Sequence, residues 1–379
     1  MDIKFTEEQQ LIRKSARQFL MDKCPSSLLR EMVEGTKGYS DELWRQMAEL
    51  GWMALIFPEE FGGTGGNFME LILLLEEMGR ACLPGPFFST VVLGGLTILE
   101  AGTKQQKQEL LPKIAKGELI ATLAITESES DYDPSSITVT AKAKGESFIV
   151  HGTKLFVPNA HVADYLLCVA RTEKGKDPED GITLFVIDGK AEGIKYTLLN
   201  TMAKDKQYEI FFNKVRVPKE NVLGELNKGW GLLKKILQKA ALAKCAEMVG
   251  GGQQVLDMAV SYAKKRVQFG KPIGSFQAIQ HHCSNMLVDL DGCRWVTYKG
   301  AWMIDEDIPY EKEVSIAKAW CNDAFRRIVA LGHQVIGGVG YCEDHDMPLY
   351  FRMGRMAEIT FGDSDFHREI VAKQLFSAG

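Results

Sequence analysis

Apolar residues recur along both ends of the chain with the spacing of an α-helix. An early apolar stripe with steps of four and three ends at Leu50, and Gly51 is placed to end that helix. The segment Thr6-Glu-Glu-Gln9 matches a capping box, in which the Gln side chain binds the amide of the first residue. Residues 1–117 are therefore predicted to form an N-terminal all-α domain.

The period of the pattern changes to two in residues 118–225. A continuous apolar run covers residues 119–126, and short alternating runs follow it at close spacing. The runs that predict further strands are 137–141, 148–150, 165–170, 182–187, 194–199 and 208–217. Many short strands at close spacing are typical of a small barrel or sandwich. We therefore predict a middle β domain of that kind.

Residues 226–379 return to the helical period. Between Val314 and Val335, apolar residues alternate steps of three and four over more than three turns. Such a stripe is typical of the seam of a helical bundle. The predicted fold class is thus α+β, in the order α, β, α.

Two long predicted helices meet in residues 262–281. Gly270 and Pro272 end the first helix, because proline cannot donate a backbone hydrogen bond, and the apolar pattern restarts after Ser275. At this junction, the planar guanidinium group of Arg266 could bind two phosphate oxygens at once. The same residues also fit a plain helix end with a solvated arginine, so the pattern alone leaves both interpretations open.

Composition and charge exclude some classes of function. The chain has 379 residues, a hydrophobic fraction of 45 % and a net charge of −5. Mild acidity argues against nucleic-acid binding, which needs a basic surface. No apolar run approaches the roughly 20 residues of a transmembrane helix, and the N-terminus lacks the pattern of a signal peptide. The eight cysteines form no Cys-x-x-Cys pair. We expect buried thiols, a cytoplasmic protein and no metal site.

The order of residues in this junction resembles a known signature. Arg266-Val-Gln-Phe-Gly-Lys-Pro-Ile-Gly-Ser-Phe-Gln-Ala-Ile-Gln-His281 resembles the signature of the acyl-CoA dehydrogenase family, and the resemblance extends over nearly the whole chain. In that family, these residues bind the pyrophosphate and adenosine half of FAD in the neighbouring subunit. The resemblance implies FAD as the cofactor and a C-terminal four-helix bundle. The implied cofactor contacts are Arg266, Gln268, Phe269 and Gln277.

A second segment resembles a family motif that also approaches FAD from the partner subunit. His333-Gln-Val-Ile-Gly-Gly-Val-Gly-Tyr341 is similar to Gln-x-x-Gly-Gly-x-Gly-Tyr. The resemblance adds Gln334, Gly337 and Gly338 to the expected cofactor contacts. A glycine cluster that ends a helix is also an ordinary C-cap.

Ala124-Ile-Thr-Glu-Ser-Glu-Ser-Asp131 resembles a flavin-binding strand of the family, in a form two residues shorter. Thr126 corresponds to a residue beside the flavin. Ser130 corresponds to one near the pyrophosphate and the CoA arm, so the resemblance implies both cofactor and substrate contacts for it. By residue types alone, the segment is a strand end followed by an acidic turn.

Gly152-Thr-Lys-Leu-Phe-Val-Pro-Asn-Ala160 resembles the family's Gly-x-Lys-x-Trp-Ile-Thr-Asn-Gly. Phe156 replaces the Trp that covers the flavin. Pro158 replaces the Thr whose hydroxyl and amide contact flavin N5. Proline supplies neither donor, so we expect one contact to the reactive edge of the flavin to be lost.

The family's reaction needs a general base, usually Glu, on the face of the acyl group opposite the flavin. Ile359-Thr-Phe-Gly-Asp-Ser-Asp-Phe-His-Arg368 lies where this base is expected, and Phe361 occupies its position. The resemblance implies substrate contact for Phe361, which cannot accept a proton. The base position of some other relatives corresponds to Ala240. The base is thus unknown, and the nearby carboxylates are Glu358, Asp363 and Asp365; the last two also correspond to residues that face FAD.

The resemblance leaves two functions open. The first is an FAD-dependent acyl-CoA dehydrogenase that desaturates an acyl-CoA thioester and passes electrons to electron-transferring flavoprotein. The second is a non-catalytic subunit that completes the FAD site of a sister chain, because contacts lent to a neighbour are kept and contacts to its own flavin are eroded. Both imply a homo- or hetero-tetramer.

Overall fold

The computed structural model describes residues 4–129 and 133–376. Within these ranges, the helices lie in the N-terminal and C-terminal parts of the sequence and the strands of the large sheet lie between them, which confirms the α+β class and the α, β, α order. The chain divides into two compact units. Unit 1 comprises Met1–Arg30, Asn67–Leu83 and Ala241–Gly379, and unit 2 comprises Glu31–Gly66 and Pro84–Ala240. The three-domain boundaries at 117/118 and 225/226 stay a prediction.

Helices cover most of the chain outside the middle segment. In chain order, the helices of the described residues are α1 Glu7–Lys23, α2 Ser26–Glu34, α3 Asp41–Glu49, α4 Phe68–Arg80, a π-helix Phe88–Gly95, α5 Leu96–Ala101, α6 Lys104–Ala115, α7 Gly229–Lys265, α8 Gln277–Asp305, α9 Glu311–Ile336, α10 Met347–Ile359 and α11 Ser364–Phe376. The capping box predicted at Thr6 is present, since Thr6 and Gln9 each bind the other's amide. Within residues 4–129 and 133–376, no helix is both long and apolar enough to cross a membrane.

Unit 2 is built on a sheet. The strands of the described residues are β1 Ala121–Ala124, β2 Thr140–Lys144, β3 Ser147–Pro158, β4 Tyr165–Arg171, β5 Ile182–Asp188, β6 Ile194–Leu199, β7 Gln207–Pro218, β8 Val222–Leu223, β9 Val267–Gln268 and β10 Lys271–Pro272, of which β9 and β10 belong to unit 1. The first eight of these described strands form one sheet in the order β6-β7-β3-β2-β4-β5-β8, with β1 parallel to β4. Every predicted strand run overlaps an observed strand. Burial alternates along β7, as expected for a strand with one face towards a core.

Unit 1 is built around α9. The predicted seam of this helix, from Val314 to Val335, is buried except at Leu331, which is half-buried, and α9 packs against α8, α10 and α11. Elsewhere in the unit, the backbone of α4 packs closely against the backbone of α7, where α7 carries a glycine. A Cβ atom on Gly250 would lie 1.7 Å from the carbonyl oxygen of Glu76, so only glycine allows this close crossing.

Candidate active site

A tight hairpin follows the C-terminus of α7. Strand β9 pairs antiparallel with β10, and Gln268 lies opposite Lys271. The two residues between them, Phe269 and Gly270, have φ angles of 54° and 77°. Two successive positive φ angles are typical of a type I′ turn. This confirms the predicted junction between two long helices, and the turn leaves the Phe269 side chain 91 % exposed.

The polar side chains predicted to contact FAD in unit 1 are exposed. Arg266, Gln268, Gln277 and Gln334 make no side-chain hydrogen bond or ion pair within residues 4–129 and 133–376. Gly337 ends α9 at φ 73° and ψ −153°, a conformation that is open essentially to glycine alone. A Cβ atom on Gly337 or Gly338 would meet nothing within 4 Å. This set of free donors beside open glycine backbone fits the pyrophosphate and adenosine end of FAD.

In unit 2, a buried ion pair fixes the segment that carries Thr126. Lys154 is 0 % exposed, and its Nζ donates to a carboxylate oxygen of Glu127 at 2.6 Å and to the carbonyl of Ile125 at 2.9 Å. The amide of Leu155 donates to the carbonyl of Thr126 at 2.8 Å. Three successive residues after β1 are thus tied to the end of β3. Ser130 lies outside the described residues.

The sequence interpretation did not assign a role to this ion pair. Glu127 also accepts bonds from the amide of Thr138 at 2.9 Å and from that of Val139 at 3.2 Å. A buried carboxylate is tolerated when it is paired and its oxygens are bonded in this way. The available signal was limited to Lys154 within strand β3, because Glu127 lies after β1 in a segment with other polar and acidic residues.

The end of β3 is irregular where the candidate flavin contacts lie. The pairing of β3 with β7 shifts register between Lys154 and Val157, as in a β-bulge. Phe156 in this bulge has a φ of 51° and is 55 % exposed. The carbonyl of Pro158 accepts a bond from the Thr122 hydroxyl at 2.7 Å, which fixes the backbone there. Pro158 has no amide hydrogen to offer.

Phe361 lies in the turn between α10 and α11. Its φ angle is 60°, and Gly362 follows at 106°. The Phe361 carbonyl accepts a bond from His367 Nε2 at 2.9 Å, and the Gly362 carbonyl accepts one from Lys318 Nζ at 3.0 Å. Burial lowers the pKa of Lys318 to about 8. The turn is therefore held by two buried side chains.

The carboxylates near Phe361 already have partners. Glu358 forms ion pairs with Arg326 and Arg355, at 3.1 and 3.2 Å. Asp365 pairs with Arg368, and Asp363 accepts a bond from the amide of Phe366 near the start of α11. Ala240, at the other base position, is buried in α7. The structure thus leaves the base unassigned. In the described part of the chain, no group of three or more His, Cys, Asp or Glu side chains is placed to hold a metal ion.

The structure places His367 in the core of unit 1, at 3 % exposure. Because a carbonyl can only accept, Nε2 carries the proton, and Nδ1 accepts from the Ser315 hydroxyl at 3.2 Å. Burial lowers the pKa of His367 to about 4, so the ring is neutral at pH 7. Its role at the Phe361 turn could not be read from the sequence.

The buried neutral state of His367 predicts a loss of stability in acid. The unfolded chain takes up a proton below pH ~6.5, whereas the folded chain takes it up only near pH 4. Stability is therefore lost as pH falls from about 6.5 to 4, and the loss reaches about 2 kcal/mol at pH 5.

Urea unfolding at pH 7.5 and pH 5 measures this difference. His367→Gln keeps an N–H donor but has no titrating ring. Its free energy of unfolding should therefore fall by about 2 kcal/mol less than that of the wild type between the two pH values. The control is His281→Gln at an exposed position. An equal decrease in the wild type and in His367→Gln would contradict the assignment.

Three family models cover the chain almost end to end. They are the N-terminal, middle and C-terminal domains of acyl-CoA dehydrogenase, which match residues 6–118, 122–215 and 227–376. A probable acyl-CoA dehydrogenase, YngJ of Bacillus subtilis, is 31 % identical over 99 % of this chain and 100 % of its own. The chain belongs to the acyl-CoA dehydrogenase family.

Two other members illustrate the range of this family. The caffeyl-CoA reductase-Etf complex subunit CarC of Acetobacterium woodii is 31 % identical over 98 % of this chain and 99 % of its own. The structure of butyryl-CoA dehydrogenase from Megasphaera elsdenii superposes with a TM-score of 0.93 at 28 % identity and covers 99 % of this chain and 100 % of its own. The predicted family and fold are confirmed, and the cofactor of this acyl-CoA dehydrogenase-type flavoprotein is FAD.

Proposed function

We propose that the protein is an FAD-dependent oxidoreductase that desaturates the α,β-bond of an acyl-CoA thioester and passes the electrons to electron-transferring flavoprotein. The observation that carries the proposal is the exposed hairpin after α7, where Arg266 and Gln268 have no partner within the described residues. Free charge-assisted donors on a rigid turn suit a pyrophosphate. The name of the Acetobacterium woodii relative, which joins a CoA-thioester reductase with Etf, supports the class of substrate and the electron partner.

The bound FAD would exchange a hydride with the β-carbon of the substrate. The adenosine and pyrophosphate half of FAD in the neighbouring subunit would be held by Arg266, Gln268, Phe269, Gln277, Gln334, Gly337 and Gly338. The flavin of the same subunit would be faced by Thr126, Ser130, Phe156 and Pro158. The FAD ribose and adenine would lie near Asp363 and Asp365. Phe361 would contact the acyl group. Phenylalanine cannot accept the α-proton, so the base of the proposed reaction is unassigned, with Glu358, Asp363 and Asp365 as the nearby candidates.

The alternative is a non-catalytic subunit of a mixed tetramer. It would lend Arg266 to the FAD of a sister chain that keeps its own Glu. The replacements Phe361 and Pro158 favour this alternative, whereas the similarity over the full length of acyl-CoA dehydrogenases favours an enzyme. We propose a homo- or hetero-tetramer for either case, and the eight cysteines without a Cys-x-x-Cys pair support a cytoplasmic location.

Anaerobic reduction of the bound flavin tests the proposal. The purified chain is loaded with FAD and mixed in a stopped-flow instrument with straight-chain, branched and aryl acyl-CoA thioesters, and electron-transferring flavoprotein is then added as acceptor. Bleaching by at least one thioester, followed by reoxidation by the acceptor, is expected. Bleaching only after a Glu-bearing sister chain is added would instead support the partner-subunit function. No FAD binding under either condition would reject both.

A further inference from the structure

Lys318 lies in the core of unit 1 without a carboxylate counter-ion among the described residues. Its side chain is 0 % exposed, and Nζ has three close acceptors: Asn322 Oδ1 at 2.6 Å, the Ala357 carbonyl at 2.9 Å and the Gly362 carbonyl at 3.0 Å. The Glu358 carbonyl, at 3.4 Å, is a fourth and more distant acceptor. A buried cation is costly unless its hydrogens are bonded. These three acceptors therefore fix the position of the ammonium group.

The carbonyl groups of Ala357 and Gly362 lie on either side of Phe361 along the chain. Ala357 is in the last turn of α10, where carbonyl groups lack partners within the helix and a cation is stabilising. Gly362 directly follows Phe361. Because Lys318 belongs to α9, it ties both sides of the turn to the helix that packs against α8, α10 and α11.

Two consecutive carbonyl groups of the turn are bound by side chains from different helices. His367 of α11 binds the Phe361 carbonyl, and Lys318 of α9 binds that of Gly362. The φ of 60° at Phe361 is unfavourable for an aromatic residue and persists only when surrounding contacts impose it. The backbone direction at residue 361 therefore depends on these two donors.

We propose that Lys318 is a positioning residue of the candidate active site, whose contacts hold residue 361 in the orientation that binds the acyl group of the substrate. The inference rests on the proposed function, which assigns residue 361 to the acyl-CoA site. An apolar side chain of similar volume at position 318 would leave the carbonyl groups of Ala357 and Gly362 without this donor.

The test compares Lys318→Met with Lys312→Met. Both substitutions remove one positive charge from α9, but Lys312 lies at the surface, with its side chain 40 % exposed. Three quantities are measured: amide hydrogen exchange in residues 357–363, FAD content and the affinity for an acyl-CoA thioester. The change in flavin absorbance during a titration gives the affinity. For Lys318→Met we expect faster exchange in the turn, unchanged FAD content and an acyl-CoA dissociation constant raised about tenfold. Lys312→Met should behave as the wild type.

Lys318→Gln keeps two N–H donors and should raise the acyl-CoA dissociation constant less than Lys318→Met does. It replaces Lys318→Met in the comparison if the methionine variant does not fold. Unchanged acyl-CoA affinity in a variant whose turn exchanges faster would overturn the proposal, as would an equal loss in Lys312→Met. If the wild type binds neither FAD nor acyl-CoA, the proposed function and the positioning role fail together. Amide exchange then still shows whether Lys318 holds the turn.

Discussion

The double substitution Phe361→Glu with Pro158→Thr is expected to accelerate reduction of the bound flavin by straight-chain acyl-CoA about 10²–10⁴-fold, the usual contribution of a general base. The wild-type chain should react very slowly with straight-chain acyl-CoA, since it lacks a carboxylate at residue 361 and a donor at residue 158. Phe361 has a φ of 60°, and Glu at this position adopts the same backbone without new steric cost. Partial burial of the new carboxylate should raise its pKa towards neutrality, as a base requires.

Stopped-flow reduction of the flavin measures the acceleration. The matched control is Phe361→Gln with Pro158→Thr, which has nearly the same volume and polarity but cannot accept a proton. Only the glutamate variant should be fast. Fast reduction by the wild type would show that another carboxylate is the base, and single replacements of Glu358, Asp363 and Asp365 would then identify it. Equal rates for the glutamate and glutamine variants would contradict the assignment of residue 361.

Arg266→Ala is expected to weaken FAD binding strongly. The guanidinium group is exposed at the start of the β9–β10 hairpin and has no partner within the described residues, so it can form bidentate bonds to a pyrophosphate. Each charge-assisted bond contributes roughly 1.5–3 kcal/mol, and loss of one or two would raise the FAD dissociation constant by about 10- to 10⁴-fold. Arg266→Lys keeps the charge but loses the fork and should lie between alanine and wild type.

Equilibrium titration of apoprotein with FAD gives these constants. Arg45→Ala serves as the control, because Arg45 is also an exposed arginine but its partners are Glu42 and Glu49 of α3. The control should retain wild-type affinity, and the unfolding midpoint of all apoproteins should be similar. FAD retention unchanged by Arg266→Ala would reject the role of the hairpin in cofactor binding.

The sequence by itself determined the order of helices and strands, the capping box at Thr6 and the junction between two long helices after α7. These features depend on neighbouring residues, whose periodicity and turn chemistry act over a few positions. The FAD contacts proposed on unit 1 also come from the sequence, because the segments 266–277 and 334–338 carry their residues in one continuous stretch each, and they stay a prediction.

Only the tertiary structure showed which buried polar groups hold the candidate site. Lys154 meets Glu127 across 27 positions of the chain, and Lys318 meets Gly362 across 44. Such partners are selected by packing, because a buried charge must find an acceptor wherever the fold brings one close. Sequence spacing contains no record of that proximity. For the same reason, the bond from His367 to the Phe361 carbonyl could not be predicted from the sequence.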